Sequence, residues 1–262
     1  MSALIVRNEI VHYEVLGRGR PVIFLHSWVG SWRDWILTMQ PASSRYRCYA
    51  LDLWGFGDTA RVRGRYGQDE QTRLVEEFID RLGIRKVALV GAGLGGVVAV
   101  RFALAHPKAV DRLMLVNTPV APATINSRLR TAGPADLSLW VYTGLQGSDP
   151  YRREAEKAEG EAIKASLEAL EAGEPSEISG GRQIACLLVR CENDPVIEGS
   201  FTHPNPDDPT LLHQVALETG GHHPMLREPG VFSRLALDFL GLGSGESPAN
   251  LRLKDEWKRR FR

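Results

Sequence analysis

Residues 86–100 read KVALVGAGLGGVVAV, an apolar run that breaks into glycines and then resumes. Few folds accommodate such a stretch. The first run has the composition of a strand, and the glycines force a tight turn. The second run starts a helix at once, which Pro107 ends. Gly91, Gly93 and Gly96 fit G-x-G-x-x-G, a turn that cradles a dinucleotide pyrophosphate. The five residues Gly91–Gly95 also fit a nucleophile elbow, G-x-S-x-G, with glycine in place of its serine.

Around this stretch, apolar runs rich in Val and Ile alternate with amphipathic ones. Strands are predicted at 10–16, 21–26, 47–53, 86–91, 110–117, 183–191 and 214–219. Several lack polar alternation, as suits a parallel sheet buried on both faces. Helices are predicted at 70–82, 94–106 and 229–240. In the first, Leu74, Val75, Phe78, Ile79 and Leu82 recur at helical spacing. Repeated β–α alternation predicts an α/β fold with a mostly parallel, doubly wound sheet.

Residues 119–182 interrupt the alternation. Three prolines punctuate the start, and 150–172 reads as one charged helix whose narrow apolar edge is Ile163, Leu167 and Leu170. The segment is predicted to be a cap or lid inserted between two late strands. A Gly/Ser/Pro linker and the basic tail LRLKDEWKRRFR close the chain. The expected division is a core of 1–119 and 183–241, a cap of 120–182, and a linker and tail of 242–262.

Composition excludes several function classes. The chain has 262 residues and equal numbers of basic and acidic side chains, 32 each. No global field therefore points to nucleic acid or a membrane surface. Its three cysteines, Cys48, Cys186 and Cys191, lie in apolar runs and read as buried thiols. The N-terminus lacks the pattern of a signal peptide, and no 18-residue apolar stretch is present. A cytoplasmic protein is expected.

Three further segments bear on chemistry. At FLHSWVGSWR, a strand ends at His26 and Ser31 is placed to cap the following helix. Backbone N–H groups at such a turn can stabilise an oxyanion. At LDLWGFGDT, Gly55 and Gly57 follow a strand, and Asp52 is placed to orient the turn. Finally, Asp194 and His222 follow two late strands, on the edge where open α/β sheets put their sites. His223 is the competing histidine.

Together these motifs resemble the α/β-hydrolase fold family, in its order and spacing. Its H-G-x-x-G-S appears as His26-Ser27-Trp28-Val29-Gly30-Ser31, and its D-x-x-G-x-G-x-S as Asp52 to Thr59. Its elbow appears as Gly91-Ala92-Gly93-Leu94-Gly95. Cys191-Glu192-Asn193-Asp194 and Gly221-His222 complete the series. The resemblance spans roughly residues 10–119 and 183–241. It implies Asp194 as the acid, His222 as the base, and oxyanion donors at the amides of Leu94 and of a residue near Ser27–Trp28. It implies no cofactor and no metal, and its partner is a small hydrophobic molecule such as an ester-like or carbonyl compound.

The dinucleotide reading is the remote alternative. It needs an acidic residue at the tip of the next strand, where Asn117 stands, and it normally opens a fold.

Gly93 departs from the family pattern most consequentially. Glycine has no side chain, so no acyl-enzyme forms at residue 93. Four readings follow. The chain is a catalytically inactive binder or pseudoenzyme. Alternatively, a water fills the gap over Gly93 and His222 with Asp194 acts on it. Third, Gly93 stands in for an original serine. Fourth, Ser27 or Cys191 supplies a substitute nucleophile. Trp28 and Trp54 are expected to line an apolar pocket. Loop 199–213, with Pro204, Pro206 and Pro209, is expected to lack the family's helix; His203, Asp207 and Asp208 read as loop residues rather than a metal site.

Overall fold

The structure, a computed structural model, describes residues 2–119, 121–172, 184–198 and 212–251. The proline-rich loop with His203, Asp207 and Asp208, and the basic tail from Arg252, lie outside the described residues.

Eight strands form one sheet: β1 (Ser2–Val6), β2 (Glu9–Leu16), β3 (Arg20–Leu25), β4 (Tyr46–Leu51), β5 (Val87–Ala92), β6 (Val110–Val116), β7 (Ala185–Cys191) and β8 (Leu212–Leu217). Their spatial order is β1-β2-β4-β3-β5-β6-β7-β8. The first two pairings are antiparallel and all the others parallel. The predicted strands are all present. β1 is an addition, joined to β2 by a two-residue turn at Arg7 and Asn8, both with positive φ. Without a glycine, that hairpin carries only a weak sequence signal.

Burial explains the composition of the central elements. β5 is buried along its whole length, because helices cover both faces. The helix after it, α3 (Leu94–Ala105), is buried on nearly every side and shows no amphipathic stripe. α2 (Gln68–Arg81) packs against α3, burying Leu74, Val75, Phe78 and Ile79 as its spacing predicts, and α1 (Ile36–Ala42) packs on β4. Between β6 and β7 lie α4 (Arg128–Thr131), α5 (Pro134–Val141), α6 (Asp149–Ala155) and α7 (Gly160–Ala172). The single helix expected at 150–172 is thus two. The break lets the Glu159 amide donate to the Gly55 carbonyl at 2.8 Å. α8 (Pro224–Arg227) and α9 (Pro229–Gly241) close the fold. Buried Arg112 donates to the Phe239 carbonyl near the end of α9 at 2.8 Å and to Asp111 at 2.8 Å. Among the described residues, no helix is long and apolar enough to cross a membrane.

The glycines beside residue 93 are packing requirements. A Cβ on Gly91 would come within 2.6 Å of the Gly96 nitrogen. One on Gly95 would come within 2.5 Å of the Leu25 carbonyl carbon and 2.6 Å of the His26 oxygen. Those neighbours are backbone and cannot yield cheaply. Gly95→Ala is expected to destabilise the protein by about 1–3 kcal/mol, read as a lower urea midpoint at unchanged m-value.

Candidate active site

The elbow is formed as the motif requires. β5 runs into Gly93, whose φ of +48° and ψ of −115° lie where a side chain costs strain, and α3 begins at Leu94. The Leu94 amide is the first of that helix and has no intrahelical acceptor. Neither it nor the Trp28 amide donates to a backbone carbonyl among the described residues.

The adjacent strand delivers Ser27. β3 and β5 are parallel with Leu25 opposite Gly91. Carried two residues further, that register sets Ser27 beside position 93. The strand end is firmly held. The Gly95 amide donates to the His26 carbonyl at 3.0 Å, and the Leu53 amide donates to His26 Nε2 at 3.0 Å. His26 therefore carries its proton on Nδ1, which donates to the Ser27 carbonyl at 2.7 Å. Burial lowers the His26 pKa, keeping the ring neutral in that tautomer.

Asp194 and His222 meet as the resemblance implies. His222 Nδ1 lies 3.0 Å from both oxygens of Asp194, and both residues are buried. Asn117, at the tip of β6, fixes the turn that carries His222. Its Nδ2 donates to the carbonyls of Gly221 and His222 at 2.9 and 3.2 Å, and its Oδ1 accepts from the Cys191 amide at 2.8 Å. Asn193 Oδ1 accepts the Gly221 amide at 2.9 Å. Asn117 has a φ of +44°, a conformation that asparagine tolerates better than most residues.

His222 Nε2 is also occupied. Ser27 Oγ lies 2.7 Å from it. A Cβ built on Gly93 would overlap that hydroxyl and lie 3.0 Å from Ser27 Cβ. The Ser27 side chain thus stands in the space beside Gly93 that one reading gave to a water. Cys191 lies beside Gly220, where a Cβ would meet its sulfur at 2.9 Å. Its thiol is buried, and burial pushes its pKa up to about 12.

The supporting loops follow in part. Ser31 caps the short 3-10 turn Trp32–Trp35, accepting from the Arg33 amide at 3.2 Å. Asp52 orients two loops, accepting from the Trp32 amide at 2.7 Å and the Asp58 amide at 3.1 Å. Trp28 flanks the site: its Cε3 lies 3.3 Å from where a Cβ of residue 93 would stand, and its Nε1 donates to Ser166 Oγ on α7 at 2.9 Å. Trp54 is buried, but its backbone is tied to Gln71 of α2 and Arg65 lies over its ring. The Gln71 amide group takes both main-chain polar atoms of residue 54 and so ties this loop to α2.

A sequence model of the alpha/beta hydrolase fold matches residues 20–149. Soluble epoxide hydrolase of Corynebacterium sp. (strain C12) is 31% identical over 107 residues, covering 41% of this chain and 37% of that protein. Haloalkane dehalogenase 2 of Mycobacterium tuberculosis is 33% identical over 117 residues, covering 43% and 40%. The matches thus span well under half the length of these relatives. Among solved structures, a serine-to-glycine variant of N-acyl homoserine lactonase with bound N-hexanoyl homoserine lactone superposes with a TM-score of 0.77. It is 18% identical and covers 92% of this chain and 99% of that one.

Behind His222 lies a second buried cluster that the sequence does not announce. The Tyr142 hydroxyl, just past α5, lies 2.9 Å from the Val29 carbonyl and 3.0 Å from Asp34 Oδ1. His223 stacks on Tyr142, with centroids 4.7 Å apart, and its Nε2 is 3.6 Å from Asp34 Oδ2. His223, the rejected histidine, thus helps to dock the insertion. Burial pushes the Asp34 carboxyl up to about 8, against the opposing bonds from Tyr142 and the Ser31 amide. At neutral pH the folded protein therefore holds a proton there that the unfolded chain releases. The resulting stability is complete below the ordinary carboxylate range and is lost as pH rises to about 8. Asp34→Asn removes this dependence. Between about pH 5 and pH 8, the parent's unfolding free energy should fall relative to the variant's by roughly 1 kcal/mol per pH unit, measured from urea midpoints.

Proposed function

Because the chain belongs to the α/β-hydrolase fold family, we propose that it hydrolyses small hydrophobic ester-like or carbonyl substrates at the carboxyl edge of its sheet. The observation that carries this reading is the buried pair His222–Asp194, 3.0 Å apart. Held this way, the imidazole keeps its proton on Nδ1 and offers Nε2 as a base. It takes the proton of the attacking hydroxyl and returns it to the leaving group. The amides of Leu94 and Trp28 meet the developing oxyanion. Trp28 supplies an apolar wall, and residues 120–182 serve as the cap, held by the bonds Trp28–Ser166 and Glu159–Gly55. The activities named for the relatives, on epoxides and haloalkanes, support a small-molecule substrate.

Gly93 itself favours a second reading, a catalytically inactive binder of small molecules on the same scaffold. A buried His–Asp bond that only ties two loops together would look the same.

Turnover separates the two. The parent is expected to hydrolyse p-nitrophenyl acetate or butyrate. His222→Ala should lower kcat by about 10²–10⁴-fold while thermal unfolding stays cooperative. A parent that does not exceed the buffer rate overturns the hydrolase reading and leaves the binder.

A further inference from the structure

We propose that Ser27 is the nucleophile of this site, its hydroxyl having moved from the elbow to the adjacent strand end. This rests on the hydrolase reading above and adds to it a covalent acyl-enzyme. Two independent observations carry it. Ser27 Oγ lies 2.7 Å from His222 Nε2. The same hydroxyl fills the space that a side chain at residue 93 would occupy. The strand register explains how. Leu25 faces Gly91, so residues 27 and 93 leave neighbouring parallel strands side by side.

Each requirement of an activated serine is met at Ser27. Asp194 accepts the hydrogen bond of the His222 Nδ1–H, so Nε2 is left as a lone pair, and the Ser27 O–H donates to it. The backbone that carries the hydroxyl is held, because the His26 ring donates to the Ser27 carbonyl at 2.7 Å. Ser27, Trp28 and His222 are all buried, where charge interactions are stronger than in bulk water. The amide following the nucleophile, that of Trp28, and the first amide of α3, that of Leu94, flank it as donors. The second gains from the positive end of a helix of 12 residues.

The reaction then balances as follows. Ser27 Oγ bonds to the ester carbonyl carbon while its proton passes to His222 Nε2. The tetrahedral oxyanion collapses, the bond from carbon to the alkoxy oxygen breaks, and the alcohol leaves with the proton from His222. Water next gives a proton to Nε2 and attacks the acyl carbon. The bond from carbon to Ser27 Oγ breaks, the proton returns to Oγ, and the acid departs. Gly93 takes no part beyond making room.

The test combines covalent labelling with turnover in the full chain. A fluorophosphonate probe followed by peptide mass mapping is expected to mark Ser27 at about one adduct per chain, and His222→Ala should abolish the adduct. Ser27→Ala should lose the adduct and lower p-nitrophenyl ester turnover by roughly 10³-fold or more. The double variant S27G/G93S returns the hydroxyl to the elbow, so the adduct should reappear at position 93. That result also answers a folding defect in the single variant. Turnover by the parent with no adduct on Ser27, or turnover that persists in Ser27→Ala, overturns this inference and leaves the hydrolase reading intact, with water as the attacking group. Absence of both turnover and adduct overturns the two together.

Discussion

The hydrogen bond from the Gly95 amide to the His26 carbonyl, 3.0 Å long, ties the first turn of α3 to the end of β3. Everything at the site depends on that approach. It requires glycine at 95, because any side chain there would meet the Leu25 and His26 backbone. It brings residues 27 and 93 side by side. His26 then locks the arrangement from the other side, accepting from Leu53 and gripping Ser27. One imidazole thus joins the loops after β3 and β4, which is why a neutral, buried ring stands there.

The insertion between β6 and β7 grips the same loops. Trp28 bonds to Ser166, Gly55 to Glu159, and Asp34 and Val29 meet Tyr142. These contacts are buried and weigh more than the exposed ion pairs of the seam, such as Lys157–Asp58 at 2.8 Å. Exposed pairs contribute at most about 1 kcal/mol each. A buried hydrogen bond whose partner is removed leaves a polar group dry, at about 1–3 kcal/mol. Docking of the insertion is therefore specified mainly by three side chains, Trp28, Ser166 and Tyr142, rather than by its many charges.

Much of this was legible in the sequence. Burial on both faces makes parallel strands read as apolar runs, and the elbow imposes glycine on either side of residue 93. The order of the motifs placed Asp194 and His222, because loops after parallel strands share one edge. What remained illegible depends on contact between distant residues. Nothing in the chain marks Tyr142 as the partner of Asp34, 108 positions away, or Asn117 as the residue that holds the His222 turn. Ser27 is visible in the sequence as serine where the family pattern has glycine, and as one of two candidate substitute nucleophiles. Its meaning appears only when the Gly93 side of the same space is measured.

The shared space of residues 27 and 93 also limits how such a sequence can change. With a serine at each, two side chains overlap; with a glycine at each, His222 Nε2 loses its partner. Neither intermediate is as good as either end state, so the two positions are coupled in the sense of a non-additive pair. A lineage crossing between the two arrangements must pass through one of these poorer sequences. Within any such set of relatives, residue 27 should therefore predict residue 93, although 66 positions separate them along the chain.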